Sequence, residues 1–462
     1  MSEKSNTFLP AESLVEDAYS LAVWLTCADQ SALFQRQAQD LRFSNISYDL
    51  PAITVDAEQT FQVMEGFGFS LTGGSAMLIS RLPDAVKNAL LQELFAPDAD
   101  GIGVSFLRLS IAASDLSERS YSYDDRPDGQ ADFELAYFDI EAGDREVIPL
   151  LEEILTINPA IKIMATAWSA PRWMKTSQSF VGGKLRPDCY GVYAAYLVKY
   201  LEAMRGRGIT IHAITPQNEP LHQKNDHSML MDASEQVEFI RHHLGPTLSQ
   251  AGLDDVELFC WDHNCDVKDY PLTVFADAEA RQYLTGSAWH LYGGDISVLS
   301  EVHQAYPEMK LYFTEQWVGS DGQFAEDLLW HVKNVLIGSI RNWSQVVLEW
   351  NLASDPFCGP HTKGGEARCV GALTIGDDVM RNVAYYVIAH AAKLVRPGSV
   401  RIYSNVQTGL VNVAFLTPSG HIVLIVLNEG AQAETFCICY QNKNAVAHLS
   451  AGTVATYVWR AV

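Results

Sequence analysis

The 462-residue sequence predicts an α/β fold, a (β/α)8 barrel with an attached antiparallel β-sandwich. Three observations predict it. Between residues 63 and 396, eight short apolar runs alternate with helix-length amphipathic segments. The runs are apolar throughout rather than alternating, as parallel strands buried on both faces require. From residue 397 onward the chain carries short β runs separated by turn residues, with no helix between them.

The elements follow in chain order. Residues 1–62 form an N-terminal segment in which 18–26 and 45–62 read as strands. Chain termini often lie close together, so these are expected to complete the C-terminal sheet. Strands one to eight of the barrel are expected at Val63–Leu71, Val104–Ile111, Ile161–Ala167, Ile211–Thr215, Val256–Trp261, Ser287–Leu291, Lys310–Thr314 and Gln345–Trp350. Helices lie between them. Pro83–Phe95 opens on a first-turn proline, and Arg145–Ile157 is stopped by Asn158-Pro159. Tyr190–Arg205 ends before Gly206. Ala233–Leu244, Leu272–Leu284, Val298–Tyr306, Gln323–Ile340 and Asn382–Val395 complete the set. An open doubly wound sheet is the rival fold, but the turn at Glu65–Ser70 holds only GxG and opens no helix on a third glycine. In the final part, residues 397–462, the runs GLVNVAFLT, HIVLIVLNEG, ETFCICYQN and TVATYVWRAV are strands.

Composition narrows the function. At 48% hydrophobic and 19% charged, the chain is globular with a large core. Its net charge of −24 repels phosphate backbones, so nucleic acid is not an expected partner. No run of 18 apolar residues marks a membrane span. The start, MSEKSNTFLPAESLVEDAYS, lacks an apolar leader core, so no signal peptide is expected. The compartment stays open between cytoplasmic and secreted after loss of a leader. Eight cysteines form no CxxC pair; Cys437 and Cys439 share a strand face, and Cys358 and Cys369 flank a Gly-rich loop across which they could pair.

Barrel active sites sit at the C-terminal ends of the strands, and here those ends are unusually polar. Strand two ends in Arg108 followed by Ser114-Asp115, and strand three in Trp168. Strand four ends in Asn218-Glu219, and strand five in Trp261-Asp262-His263-Asn264. Strand six supplies His290 and Tyr292, strand seven Glu315, Gln316 and Trp317, and strand eight Glu349, Trp350 and Asn351. Together they describe an aromatic, carboxylate-bearing pocket. Glu219 and Glu315, on strands four and seven, can reach one bond from two sides. Paired carboxylates are what glycosidic cleavage needs. His222, His227, His242, His243 and His263 invite a metal reading, but none shows HxH or HExxH spacing, so neither a metal nor another cofactor is expected. His290 is either a pocket hydrogen-bonding group or a core histidine. A non-catalytic sugar-binding barrel would keep the aromatics and lose a carboxylate. A protein-docking scaffold would need an exposed apolar stripe, and none is visible.

The segments GFGFSLTGGSA, LRLSIAASDLS, ATAWSAPRWMK, ITPQNEP, WHLYGG and LYFTEQWVG resemble, in order, the strand-end motifs of glycoside hydrolase family 30, which includes glucosylceramidases and β-1,6-glucanases. The resemblance runs from about Gln62 to the C-terminus. It implies a retaining, double-displacement hydrolase of β-D-glucosidic linkages, with a carbohydrate or glycolipid as substrate. Glu219 maps to the acid/base, Glu315 to the nucleophile, and Asn218 to the residue holding the sugar 2-hydroxyl. Arg108, Asp115, Trp168, His290, Tyr292 and Trp350 map to the subsite of the cleaved sugar, and His263 and Trp317 are expected to contact substrate beside them. The QNEPLHQKND and FCWDHN segments are nearer the β-1,6-glucanase branch. The polar loops Leu221–Asp232 and Phe357–Cys369 favour an oligosaccharide over the alternative, glucosylceramide. The implied mechanism requires a free enzyme with Glu219 protonated and Glu315 ionised.

Overall fold

Eight parallel strands close into a barrel in sequence order, with strand eight returning to pair with strand one. In this computed structural model, which describes residues 19–97, 101–127 and 129–461, they are Gly66–Ser70, Phe106–Ile111, Lys162–Ala167, Ala213–Thr215, Glu257–Cys265, Gly286–Gly294, Lys310–Glu315 and Ser344–Asn351. The expectation of no leader at the N-terminus, and position 18 of the first expected strand, lie outside the described residues.

The barrel is filled in layers, because alternate residues of each strand point inward. Phe106, Met164, Ala213, Phe259, Ala288, Tyr312, Val346 and Leu348 form one buried apolar cluster. Two residues further along the strands, the inward positions turn polar: Arg108, Thr166, Thr215, His290 and Thr314, all fully buried. The apolar layer is thus a floor on which a polar layer stands.

Several expected boundaries are corrected. The run expected as Val63–Leu71 is two elements. Val63 ends a long strand, Ala52–Val63, that belongs to the sandwich, and the barrel strand starts at Gly66. Gly66 and Gly68 leave no room for a side chain against Phe106, which is why the junction is glycine-rich. Strand five runs to Cys265, past its expected end at Trp261, through a bulge. The helix expected at Leu272–Leu284 is two, Asp269–Ala276 and Ala278–Arg281. Asp277 divides them by accepting hydrogen bonds from the Glu279 and Ala280 amides as an N-cap. Cys358 and Cys369 remain free thiols. The chain at Cys369 is pinned instead by pairing of Cys369–Val370 with Val318–Gly319, and its side chain packs with Leu116, Trp168 and Trp350.

The C-terminal strands Val400–Ser404, Leu410–Leu416, His421–Asn428, Glu434–Tyr440, Lys443–Leu449 and Val454–Arg460 form one large sheet with the N-terminal strands Ser20–Thr26 and Ala52–Val63. Lys443–Leu449 was not among the expected runs. The pairings are antiparallel except that Ala52–Val63 lies parallel to Glu434–Tyr440. The central strand His421–Asn428 is buried on both faces. Ile422, Leu424 and Val426 point into the sandwich core, while Val423, Ile425 and Leu427 join the core that also holds the barrel helices. That shared core seats the sandwich on the barrel. No helix among the described residues is long and apolar enough to cross a membrane.

His390 pins the joint. It lies fully buried in the helix Val383–Ala392, with Nδ1 2.8 Å from the Thr456 hydroxyl and Nε2 2.9 Å from the Thr26 hydroxyl. Burial pushes its imidazole down to about 3, so it is neutral. Replacing it (His390→Leu) is expected to cost about 1–3 kcal/mol, the penalty of a broken buried hydrogen bond, read from the urea midpoint. The pH dependence has a fixed sign. The unfolded imidazole takes its proton near pH 6.5, and the folded one not until about 3. This contribution is therefore whole above about pH 6.5 and is lost as pH falls toward about 3. His390→Leu should flatten that part of the profile, and an unchanged profile contradicts the reading.

Candidate active site

The centre of the polar layer is a buried ion pair. Arg108 Nη2 donates to Asp262 Oδ2 at 2.9 Å, and both side chains are fully buried. Asp262 also accepts from Thr215 Oγ1 at 2.7 Å, Thr314 Oγ1 at 2.7 Å and Thr166 Oγ1 at 2.9 Å, and lies 3.2 Å from His290 Nε2. Burial would raise this carboxyl, but the Arg108 charge, His290 and Thr314 together hold it well below the usual carboxylate range. In the sequence Asp262 stands out only as one of the polar residues ending strand five. Period-two alternation from inward-facing Phe259 would point Trp261, not Asp262, into the barrel. Positive φ angles at both Trp261 and Asp262, 73° and 63°, build a bulge that shifts the alternation by one. Trp261 then packs outward on Tyr270 with ring centroids 4.6 Å apart, and Asp262 turns in. The legible signal was the threonine recurring in ATAW, ITPQ and FTEQ, three hydroxyls that need a common acceptor.

From this centre Arg108 reaches the expected pair. It donates through Nη1 to Glu315 Oε2 and through Nη2 to Asn218 Oδ1 at 2.7 Å. Trp168 and Trp350 stack on each other at 5.1 Å, and the guanidinium lies 4.8 Å and 5.5 Å from their centroids. Trp317 is half-buried against the same cluster. Glu315 Oε1 accepts from the Tyr292 hydroxyl at 2.9 Å. Glu219 follows Asn218, whose amide donates to Ala167 O at 2.7 Å. The Glu219 amide donates to Asp262 O at 3.0 Å. Its φ of 43° is left-handed, a conformation non-glycine residues seldom adopt and one that clusters at functional sites. Pro220, which disfavours the right-handed helical region for the residue before it, is consistent with that placement.

The two carboxyls converge. Glu219, His290 and Glu315 each place a polar atom within 4.8 Å of the other two. His290 Nδ1 stands between them, 3.2 Å from Glu219 Oε1 and 3.8 Å from Glu315 Oε1. Burial disfavours a charged His290, but Glu315, Asp262 and Glu219 outweigh it and push the imidazole up to about 9. Asp115, nearly fully buried with Oδ1 unpartnered, is raised to about 8 by burial and by the charges of Glu315 and Glu219, so it is a neutral donor at pH 7. The protons in the Glu pair are arranged otherwise than the sequence led us to expect. Burial raises Glu219, but hydrogen bonds from His222 and His290 outweigh it and hold the carboxyl low. Burial likewise raises Glu315, and His290 and Arg108 offset that only in part. The free protein therefore carries the proton nearest Glu219 on His290.

Every residue expected at the site is thus near it. Arg108, Tyr292 and His290 contact the glutamates directly, and Asn218 accepts from Arg108. Trp168 and Trp350 back Arg108. Asp115 lies within electrostatic reach of both glutamates, and Trp317 sits at the rim. His263 is buried beside Glu219, tilted on Trp261 with centroids 5.0 Å apart. His222 was set aside for lack of local spacing, yet it lies 3.3 Å from Glu219 Oε2.

Removing the central carboxyl (Asp262→Ala) leaves Arg108 buried and partly unpaired. It is expected to lower the unfolding free energy by about 3–5 kcal/mol in chemical denaturation. A loss no larger than that of a surface substitution contradicts its central place.

The sequence of the barrel matches the family model described as "Glycosyl hydrolase family 30 TIM-barrel domain" over residues 64–395, and the "Glycosyl hydrolase family 30 beta sandwich domain" matches residues 398–457. An endo-1,6-beta-D-glucanase of Neurospora crassa is 34% identical over 354 residues, covering 73% of this chain and 72% of that protein. A putative glucosylceramidase 4 of Caenorhabditis elegans is 30% identical over 423 residues, 84% of this chain and 79% of that protein. The solved structure of the endo-beta1,6-glucanase BT3312 superposes with a TM-score of 0.89 at 33% identity, covering 96% of this chain and all of that one. With the barrel matched over residues 64–395 and the C-terminal strands over residues 398–457, the chain belongs to glycosyl hydrolase family 30.

Proposed function

We propose that this protein is a retaining β-glucosidic hydrolase acting on β-1,6-linked glucan or its oligosaccharides. The observation that carries the reading is the approach of the Glu219 and Glu315 carboxyls, with oxygens within 4.8 Å. Retaining enzymes hold the two groups at about 5–5.5 Å, whereas inverting enzymes keep about 6.5–9.5 Å for a water between them. Glu315 is the nucleophile. Arg108 cannot lose its proton and, with the Tyr292 hydroxyl, orients this carboxylate toward the anomeric carbon. Glu219 is the acid/base. Attack by Glu315 breaks the glycosidic bond as Glu219 delivers a proton to the departing oxygen. Glu219 then takes a proton from water, which displaces Glu315 and releases the sugar with retained configuration.

His290 supplies the missing proton. The charged pair His290–Glu219 and its neutral form differ by one proton moved across 3.2 Å. A bound sugar that expels water favours the neutral form, because burial penalises charge. Asn218 and Asp115 are placed to hold sugar hydroxyls, and the stacked Trp168 and Trp350 form an apolar wall.

The leaving group is read by loops, and the first of them is polar: His222, Gln223 and Lys224 are exposed. Together with the endo-1,6-β-glucanase names of the relatives, this favours an oligosaccharide. One observation favours a second reading, glucosylceramide. Phe357, on the loop leaving strand eight, is 86% exposed, and a glycolipid would cover it. Hydrolysis of β-1,6-gluco-oligosaccharides compared with glucosylceramide decides between the two.

Glu315→Gln is expected to reduce turnover of an aryl β-glucoside to background, and near-wild-type activity contradicts its role. Glu219→Ala should slow substrates with poor leaving groups by about 10²–10⁴ while azide restores turnover of activated ones. In the wild type, Asp115 and His290 must hold their protons, so kcat/KM should fall as pH rises from about 8 through about 9. His290→Phe should move the alkaline limb to lower pH; an unmoved limb contradicts the proton store.

A further inference from the structure

Glu219 has neighbours on both oxygens. Its Oε1 faces His290, while its Oε2 lies 3.3 Å from His222 Nδ1. His263 completes a second trio: Glu219, His222 and His263 each offer a ligating atom within 4.8 Å of the other two. Two imidazoles and one carboxylate are the protein ligand set of many zinc enzymes, which leave the fourth position open. With bonds of about 2.0–2.1 Å, tetrahedral ligands stand roughly 3.4 Å apart. Glu219 and His222 already have that spacing.

The placement of these groups suits a cation. His263 is buried beside Glu219. Its Nδ1 is buried without a hydrogen-bond partner, so no contact there fixes the tautomer. The His222 side chain is 47% exposed, which gives an ion a way in. The neighbouring trio of Glu219, His290 and Glu315 is unsuited. Both nitrogens of His290 already face carboxylates, and the Arg108 guanidinium donates to Glu315.

We propose that Glu219, His222 and His263 form a binding site for a zinc-class divalent cation, and that the ion inhibits the enzyme by occupying the carboxylate that Glu219 uses as acid/base. The inhibition rests on the function proposed above; the binding does not.

The test titrates zinc chloride into chelator-stripped enzyme by calorimetry, with aryl β-glucoside turnover followed in parallel. One ion per chain should bind with micromolar affinity, turnover should fall over the same concentrations, and EDTA should restore it. His222→Ala and His263→Ala should each weaken binding by about tenfold or more. His242→Ala, at an exposed helical histidine facing Glu238, should leave it unchanged. His222 is half-exposed, so its removal leaves the fold intact even if His263→Ala proves unstable. The proposal is overturned by no saturable binding up to millimolar zinc, by affinity unchanged in the His222 variant, or by full occupancy with undiminished turnover. Should the wild type cleave no glucoside, the function fails while calorimetry on the variants still decides the site.

Discussion

A guanidinium in the middle of a barrel must be paired, and the rest of the site follows from how Arg108 is paired. Unpaired, the charge would cost several kcal/mol. Asp262 supplies the counter-charge, and its other lone pairs are taken by groups from four further strands: Thr166, Thr215, His290 and Thr314. One carboxylate thereby ties six of the eight strands at a single level, counting its own and that of Arg108. Such a pair stabilises little by itself, since desolvation offsets much of its attraction. It fixes position instead. The same Nη2 that meets Asp262 also donates to Asn218, Nη1 is aimed at Glu315, and the Asp262 backbone carbonyl accepts from the Glu219 amide. Glu315, Glu219 and Asn218 are all set from one centre.

The architecture was legible because its cause is periodic. Apolar runs at regular spacing mark buried parallel strands, and all eight lie where those runs fall. The glutamates were legible because they end strands four and seven, where barrel chemistry belongs. What was not legible breaks the period. The bulge at Trp261 and Asp262 swaps which residue faces inward, and nothing local in FCWDHN announces two consecutive positive φ angles. Val63 was assigned to the barrel because VMEGFGFSL reads as one apolar run, whereas the chain passes from sandwich to barrel within Met64-Glu65. His222 and His263 lie on different elements, so only the closed barrel brings them to the same carboxylate. Local spacing rules for metal ligands are blind to such convergence.

Charge in the site is likewise a property of the assembly. The sequence supplies Asp115, Glu219, Asp262 and Glu315 against one arginine. Ordinary carboxyl values would leave four negative charges in a dry pocket. Burial and mutual repulsion instead keep Asp115 protonated, and the same carboxylates place a proton on His290. The sandwich matters to this arrangement through rigidity. Its central strand His421–Asn428 is buried on both faces, and His390 joins the barrel to both chain ends, so the barrel is braced from outside.

The central claim is that this framework presents Glu315 as the nucleophile of a retaining reaction. Incubation with an activated 2-deoxy-2-fluoro-β-glucoside, which slows release of the covalent intermediate, tests it most directly. Peptide mapping by mass spectrometry should find a single fluoroglucosyl group, on Glu315. Absence of a label while the parent glucoside is hydrolysed, or a label on a different carboxylate, would contradict the account.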